Sequence, residues 1–254
     1  MFKVPRITES FIDVVMSDIN WQRYDEVFSY QSGVKNADYV GFDQVAELKI
    51  FEEEPLDKHA RQVKIAHIFR EAGIESDYVD LELDSIPEPI KFQVENEVSK
   101  ALKTHIKKAS SQLKITAENK KICGDKVLIA VNNEFSYLNA DNFKRLLVDR
   151  CKRDSKTISH VVCVTVEYHQ GVFDARIDIG IDICIVNSEK DWPFSEQFKE
   201  ACFSMFERCL SKMLSSPELV SSTLPEVSKI CFDCDGVTFV REAELIPDSR
   251  FNVS

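Results

Sequence analysis

Apolar positions along the chain change period several times, and each change marks an element. After Thr8-Glu9-Ser10, a plausible helix start, Phe11, Val15 and Ile19 recur at helical spacing, and Trp21, Tyr24, Val27 and Phe28 continue that helix or form a second turn after Asn20. Gln31-Ser32-Gly33 breaks the element before two short β-prone stretches, 37–41 and 44–51. Asp57 is placed to cap a helix running from Lys58 to Ala72, with Gly73 ending it and Val63, Ala66 and Phe69 or Ile68 facing the core. Lys58, Arg61, Lys64 and Arg70 of that helix are left for solvent or phosphate. The acidic interval 75–88 holds a short strand or loop. Val94, Val98, Leu102, Ile106, Ala109, Leu113 and Ala117 then form the single apolar stripe of a long helix over 91–119.

Beyond it, Lys126 to Asn132 is a continuous apolar run and reads as a buried strand. A helix follows over 143–153 with Leu146 and Leu147 inward, and His160 to Val166 is a further central strand. After His169-Gln170-Gly171 comes clean alternation. Ala175, Ile177, Ile179, Ile181, Ile183 and Ile185 share one face, and Asp174, Arg176, Asp178 and Asp182 the other. Phe194, Phe198, Cys202, Phe206, Cys209 and Met213 mark an amphipathic helix, residues 215–227 a loop, and 230–232 with 237–240 a hairpin turning at Asp235-Gly236.

The stretch around which the chain is organised is 36–51. Gly41-Phe42-Asp43-Gln44 is a tight-turn tetrapeptide. A turn centred between Phe42 and Asp43 sets Asp38 across from Glu47, and the period of two brings Lys49 to the same face. Ala46, Leu48 and Ile50 turn to the other side. Two carboxylates held together repel unless a proton or a cation intervenes, and Mg²⁺ suits such oxygen ligands. The bland alternative is a solvated face. An acid from the preceding helix region (Glu9, Asp13, Asp25 or Glu26) could join the pair.

Composition narrows the classes. Apolar residues make up 44% of 254 positions, enough for a substantial core. No apolar run is long enough to cross a bilayer, and the first residues lack the apolar stretch of a secretory leader, so a cytoplasmic location and no membrane partner are expected. The formal charge of −11 argues against a general nucleic-acid coat. Within that acidic background Lys100, Lys103, Lys107 and Lys114 form a stripe on the long helix, centred roughly 130° from its apolar stripe. They are candidates for phosphate contact. Gln112 falls on the opposite flank of the apolar stripe, within reach of the sheet's edge and outside the lysine surface. Of eight cysteines only Cys231-Phe-Asp-Cys234 has ligand-like spacing, and a lone pair makes no structural zinc site. The Asp174, Asp178 and Asp182 set rivals the hairpin, on a pattern any half-exposed strand gives. The seven glycines form neither a dinucleotide fingerprint nor a phosphate loop.

The order helix, hairpin with Asp38 and Glu47-Leu-Lys49, helix, long helix, then strand–helix–strand resembles the PD-(D/E)XK nuclease superfamily. Ala37-Asp38 stands where that family has Pro-Asp, and Glu47-Leu-Lys49 where it has (D/E)-X-K. Lys126-Val-Leu-Ile-Ala-Val-Asn-Asn and the helix after it also resemble a poorly described bacterial branch. The resemblance covers about residues 8–187. It implies an α/β, restriction-endonuclease-like fold, a mixed four- or five-stranded sheet flanked by helices, with residues 188–254 adding a C-terminal helix and β-hairpin. It also implies a metal-dependent nuclease acting on DNA, or RNA. Asp38 and Glu47 would hold Mg²⁺ or Mn²⁺, and Lys49 would position the attacking water or steady the phosphate. The alternative it allows is a catalytically inactive domain that binds nucleic acid or protein. The superfamily and the apolar C-terminal helix also suggest a homodimer.

Overall fold

The computed structural model describes residues 4–28, 35–133, 135–170, 175–215, 229–242 and 250–252. The expected break at Gln31-Ser32-Gly33, all of the expected 215–227 loop but Ser215, which ends a helix, Gly171 and Asp174 lie outside them, as does the Arg176 side chain.

In chain order the elements are β1 (Val4–Arg6), α1 (Glu9–Asp18), β2 (Gln22–Arg23), α2 (Tyr24–Val27), β3 (Tyr39–Gly41), β4 (Gln44–Phe51) and a 3-10 turn at Pro55–Asp57. Then come α3 (His59–Glu71), β5 (Tyr78–Asp80), α4 (Glu88–Lys120), β6 (Lys126–Asn132), α5 (Ala140–Asp154), β7 (His160–Gln170) and β8 (Ala175–Ile185). The chain continues with α6 (Ser195–Ser215), β9 (Lys229–Cys234), β10 (Val237–Glu242) and β11 (Arg250–Asn252).

The central sheet has the order β2-β3-β4-β6-β7-β8. Strands β4, β6 and β7 run parallel, and antiparallel β3 and β8 flank them. A mixed sheet between helices matches the expected architecture. It has six strands rather than four or five, because the two-residue β2 pairs with β3 at one edge.

Each central strand sends alternate side chains to opposite faces, so the sheet separates two cores. On one side Val45, Phe51, Leu128, Ala130, Val161 and Cys163 meet helices α3, α4 and α5. On the other, Ala46, Leu48, Val127, Ile129, Val162 and Val164 meet α1 and α6. All seven residues of the expected α4 stripe are buried. Hairpin β9–β10 turns through Asp235 and Gly236, both at positive φ, as the Asp-Gly pair predicts. It pairs with β5 through β10 as a three-stranded sheet, and Phe239 packs 5.7 Å from Phe69 of α3.

Helix α3 departs from expectation in two places. Asp57 belongs to the 3-10 turn, and Lys58 takes the N-cap position without a side-chain cap bond. The buried face is Ile65, Ala66 and Phe69, which leaves Val63 exposed. No helix among the described residues is long and apolar enough to cross a membrane.

Candidate functional site

The hairpin register places the site. Phe42 and Asp43 both adopt positive φ (52° and 59°), and Gly41 pairs with Gln44, Val40 with Val45 and Tyr39 with Ala46. This two-residue turn matches the right-handed twist of its strands. One step further, Asp38 faces Glu47, where the strand pairing ends. The Asp38 Oδ2 accepts the Leu48 backbone N–H at 2.7 Å, closing the ladder with a side chain. Ala37 N–H donates to the buried Thr116 Oγ1 of α4 at 2.7 Å, which fixes the entry to β3.

Glu47 is fully buried, and the Asp38 carboxylate lies close enough to act on it. Burial pushes it up to about 8, the neighbouring Asp38 charge adds to the rise, and Lys49 opposes it. Burial raises Asp38 as well, against the Leu48 N–H and Lys49. Lys49 Nζ is ion-paired with Glu47 Oε1, while Oε2 is buried and has no partner. Raised to about 8, mainly by burial, the Glu47 carboxyl holds its proton at neutral pH, which leaves the pair with one negative charge for the one ammonium to balance.

The expected Mg²⁺ or Mn²⁺ site is overturned. Among the described residues no three His, Cys, Asp or Glu side chains gather in a way that could hold a metal ion. The reason is visible in the partners. Lys49 occupies the cationic position beside Glu47. Arg23 ties up the acids that might have completed the set: its Nη1 lies 2.6 Å from Glu9 and 2.8 Å from Asp13, and its Nε 3.4 Å from Asp25. Asp13 also accepts the Tyr39 hydroxyl at 2.7 Å.

Sequence reasoning passed over Gln112. Its Oε1 lies 3.4 Å from Lys49 Nζ, and its Nε2 donates to the Asn36 carbonyl at 2.9 Å. The available signal was its position on the sheet-edge flank of the α4 stripe. A depression of about 270 Å³ opens here, lined by Asp38, Gln112, Asn36, Arg23 and Lys35. Asp38 is thus the carboxylate that meets solvent, with Glu47 behind it.

The lysine stripe is distributed differently from a single binding face. Lys100 pairs with Glu97, Lys103 lies 3.8 Å from Asp154 of α5, and Lys114 lies 3.9 Å from Glu118. Lys107 is exposed and forms no ion pair among the described residues. Asp178 and Asp182 stand on β8, three strands and so roughly 14 Å from β4. Asp182 is paired with Lys144 at 3.3 Å. His160, which touches Ser159 and Asp125 through the same ring nitrogen, forms no nucleophilic triad. Cys231 and Cys234 are free thiols, one exposed and one buried.

Comparison with protein-family models, with curated proteins and with solved structures finds no match.

Proposed function

We propose that the chain is a PD-(D/E)XK-type, nuclease-like hydrolase of phosphodiester bonds in nucleic acid, DNA before RNA, working from Asp38, Glu47 and Lys49. The observation that supports this reading is the stacking of Asp38 on a buried Glu47 held near neutrality, with Lys49 on the same face. A carboxyl pair sharing one proton near pH 7 suits general acid–base chemistry. Lys35 borders the depression that opens on Asp38 and would seat the phosphate. Water attacking phosphorus forms the new P–O bond and yields its proton to Asp38, backed by Glu47. The bond to the leaving oxygen breaks, and that oxygen takes a proton from solvent. Lys49 keeps positive charge beside the site as negative charge grows on the phosphorane.

The test is cleavage of linear duplex, single-stranded DNA and RNA, in chelator and in divalent-ion buffers. Asp38→Asn and Glu47→Gln should each reduce the rate by about two orders of magnitude or more, the scale of a lost general base. Variants as active as wild type would move the chemistry elsewhere.

One observation favours a second reading. Lys49 already satisfies Glu47 by ion pairing, so the site is balanced without a substrate. On that reading the domain binds nucleic acid and cuts nothing. Binding in either case would draw on Lys107 and Lys114 of α4, with Lys100 and Lys103 released from their carboxylates. Replacing Lys107 and Lys114 by alanine should lower the salt slope of binding by about one unit per lost phosphate contact. An unchanged slope would make the stripe ordinary surface.

A further inference from the structure

A cavity of about 450 Å³ lies between the end of β4, the start of α3 and the middle of α4. Lys58, Arg61, Lys100, Thr104 and His105 line it, whereas Asp38, Glu47 and Lys49 do not. Its charge is unusual for a protein of formal charge −11. Glu52 and Glu53 also border the space, but both are well exposed. Glu53 is held by Lys58 at 2.7 Å, and Glu52 lies 4.0 Å from Arg6. Lys100 shares the single carboxylate of Glu97 with Lys64, which lies 3.4 Å from it. One carboxylate therefore serves two ammonium groups.

Arg61 decides what the cavity lacks. It forms no ion pair among the described residues. Its Nη1 donates to the Pro55 carbonyl at 3.0 Å, and its Nε is buried without a partner. A half-buried guanidinium normally finds a carboxylate or a phosphate, because its charge and five donors are costly to leave unmatched. Here the tether to Pro55 holds it at the cavity wall with no such acceptor. Helix α3 begins beside it with Lys58 at the N-cap and no side-chain cap, which adds partial positive charge.

The rest of the lining gives the ligand its shape. The three cations of the lining outnumber its two carboxylates, which suits an anion, and the Thr104 hydroxyl adds a neutral donor. The volume exceeds what a bare phosphate needs and lies in the range of small-molecule sites. The His105 ring, 4.8 Å from that of Phe51, supplies a flat wall for an organic group. Burial and the nearby Lys49 lower its pKa, so at neutral pH it adds surface rather than charge.

We propose that this cavity binds a phosphate monoester, with Arg61 and Lys100 as charge partners of the phosphate and Lys58 and Thr104 completing the donors. The site is separate from the carboxylate pair and does not depend on hydrolysis there.

The experiment uses the full chain with adenosine monophosphate, inorganic phosphate and adenosine as probes, read by calorimetry and thermal shift. Adenosine monophosphate should bind and raise Tm with concentration, and adenosine should do neither. Arg61→Gln should weaken the monophosphate by about tenfold or more, as expected for a lost charge-assisted bond. Lys58→Gln should weaken it less, and Lys152→Ala, exposed on α5 and outside the cavity, should leave it unchanged. Because Arg61 also tethers Pro55, each variant is melted first. If Arg61→Gln does not fold, Lys58→Gln combined with Thr104→Val carries the test. Equal binding of inorganic phosphate would uphold the site and identify the free anion as its ligand. No binding of either phosphate, equal protection by adenosine, or an equal loss in Lys152→Ala would overturn it.

Discussion

Glu47→Gln should stabilise the folded protein at pH 8 and leave it nearly unchanged at pH 5. The sign follows from the direction of the shift. Glu47 is raised from 4.5 to about 8 in the fold, mainly by burial. Below pH 4.5 it is protonated folded or unfolded, and it costs nothing. Between 4.5 and 8 the unfolded chain releases a proton that the fold retains, so stability falls as pH rises through that window. Glutamine mimics the neutral carboxyl and removes this loss, while Asp38 remains as the counter-ion for Lys49. The gain at pH 8 should be about 2 kcal/mol, below the ceiling implied by a shift of that size. In a chain of this length that is a rise in Tm of roughly 4–8 °C. Thermal melts of both proteins at pH 5 and pH 8 decide the matter. If Glu47 is instead a plain ionised partner of Lys49, glutamine strands a buried ammonium and costs about 3–5 kcal/mol. A loss of stability at pH 8 would therefore reject the shared-proton account.

What the sequence made legible was local. Gly41-Phe42-Asp43-Gln44 implied a two-residue turn, and that turn alone sets Asp38 opposite Glu47. The α4 stripe was readable because one helix face repeats from Val94 to Ala117, more than about six turns, against the sheet. Partners drawn from other elements were not. Nothing in 9–26 shows that Arg23 folds back onto Glu9 and Asp13, yet that contact removes the third acid from the site. The pairing of Lys103 with Asp154 depends on how α5 packs on α4, which no spacing reveals. Gln112 was hidden for a related reason. Periodicity assigns it a flank, but only the crossing of α4 over β4 brings that flank to Lys49. The cap of α3 moved by one residue, from Asp57 to Lys58, because Pro55 opens a 3-10 turn that takes up Asp57.

The same hairpin makes Gly124 the most consequential glycine. It lies in the link from α4 to β6, pressed against the turn that sets the register. Its N–H donates to the Asp43 carbonyl at 3.0 Å, and Val45 N–H donates to Asp125 next door at 3.1 Å. A methyl group there would stand 2.4 Å from the Asp43 carbonyl oxygen and 2.9 Å from Gln44 Cγ. The first contact is with backbone, so no side-chain rotation relieves it. Gly124→Ala must therefore push the turn off β6, lose one or both hydrogen bonds, and tilt the strand that carries Glu47 and Lys49. Overpacking of this kind costs about 1–3 kcal/mol, and the lost bonds place the expected value at the upper end. That corresponds to a drop in Tm of roughly 6–12 °C. Gly73→Ala is the useful comparison. Its φ of 72° strains any side chain, but nothing lies within 4 Å of the added methyl, so its cost should be nearer 1 kcal/mol. Gly124→Ala should also blunt the pH dependence assigned to Glu47, because the carboxyl would no longer be held against Asp38. If melts rank Gly124→Ala no worse than Gly73→Ala, the close approach of this link to the turn does not fix the position of the site.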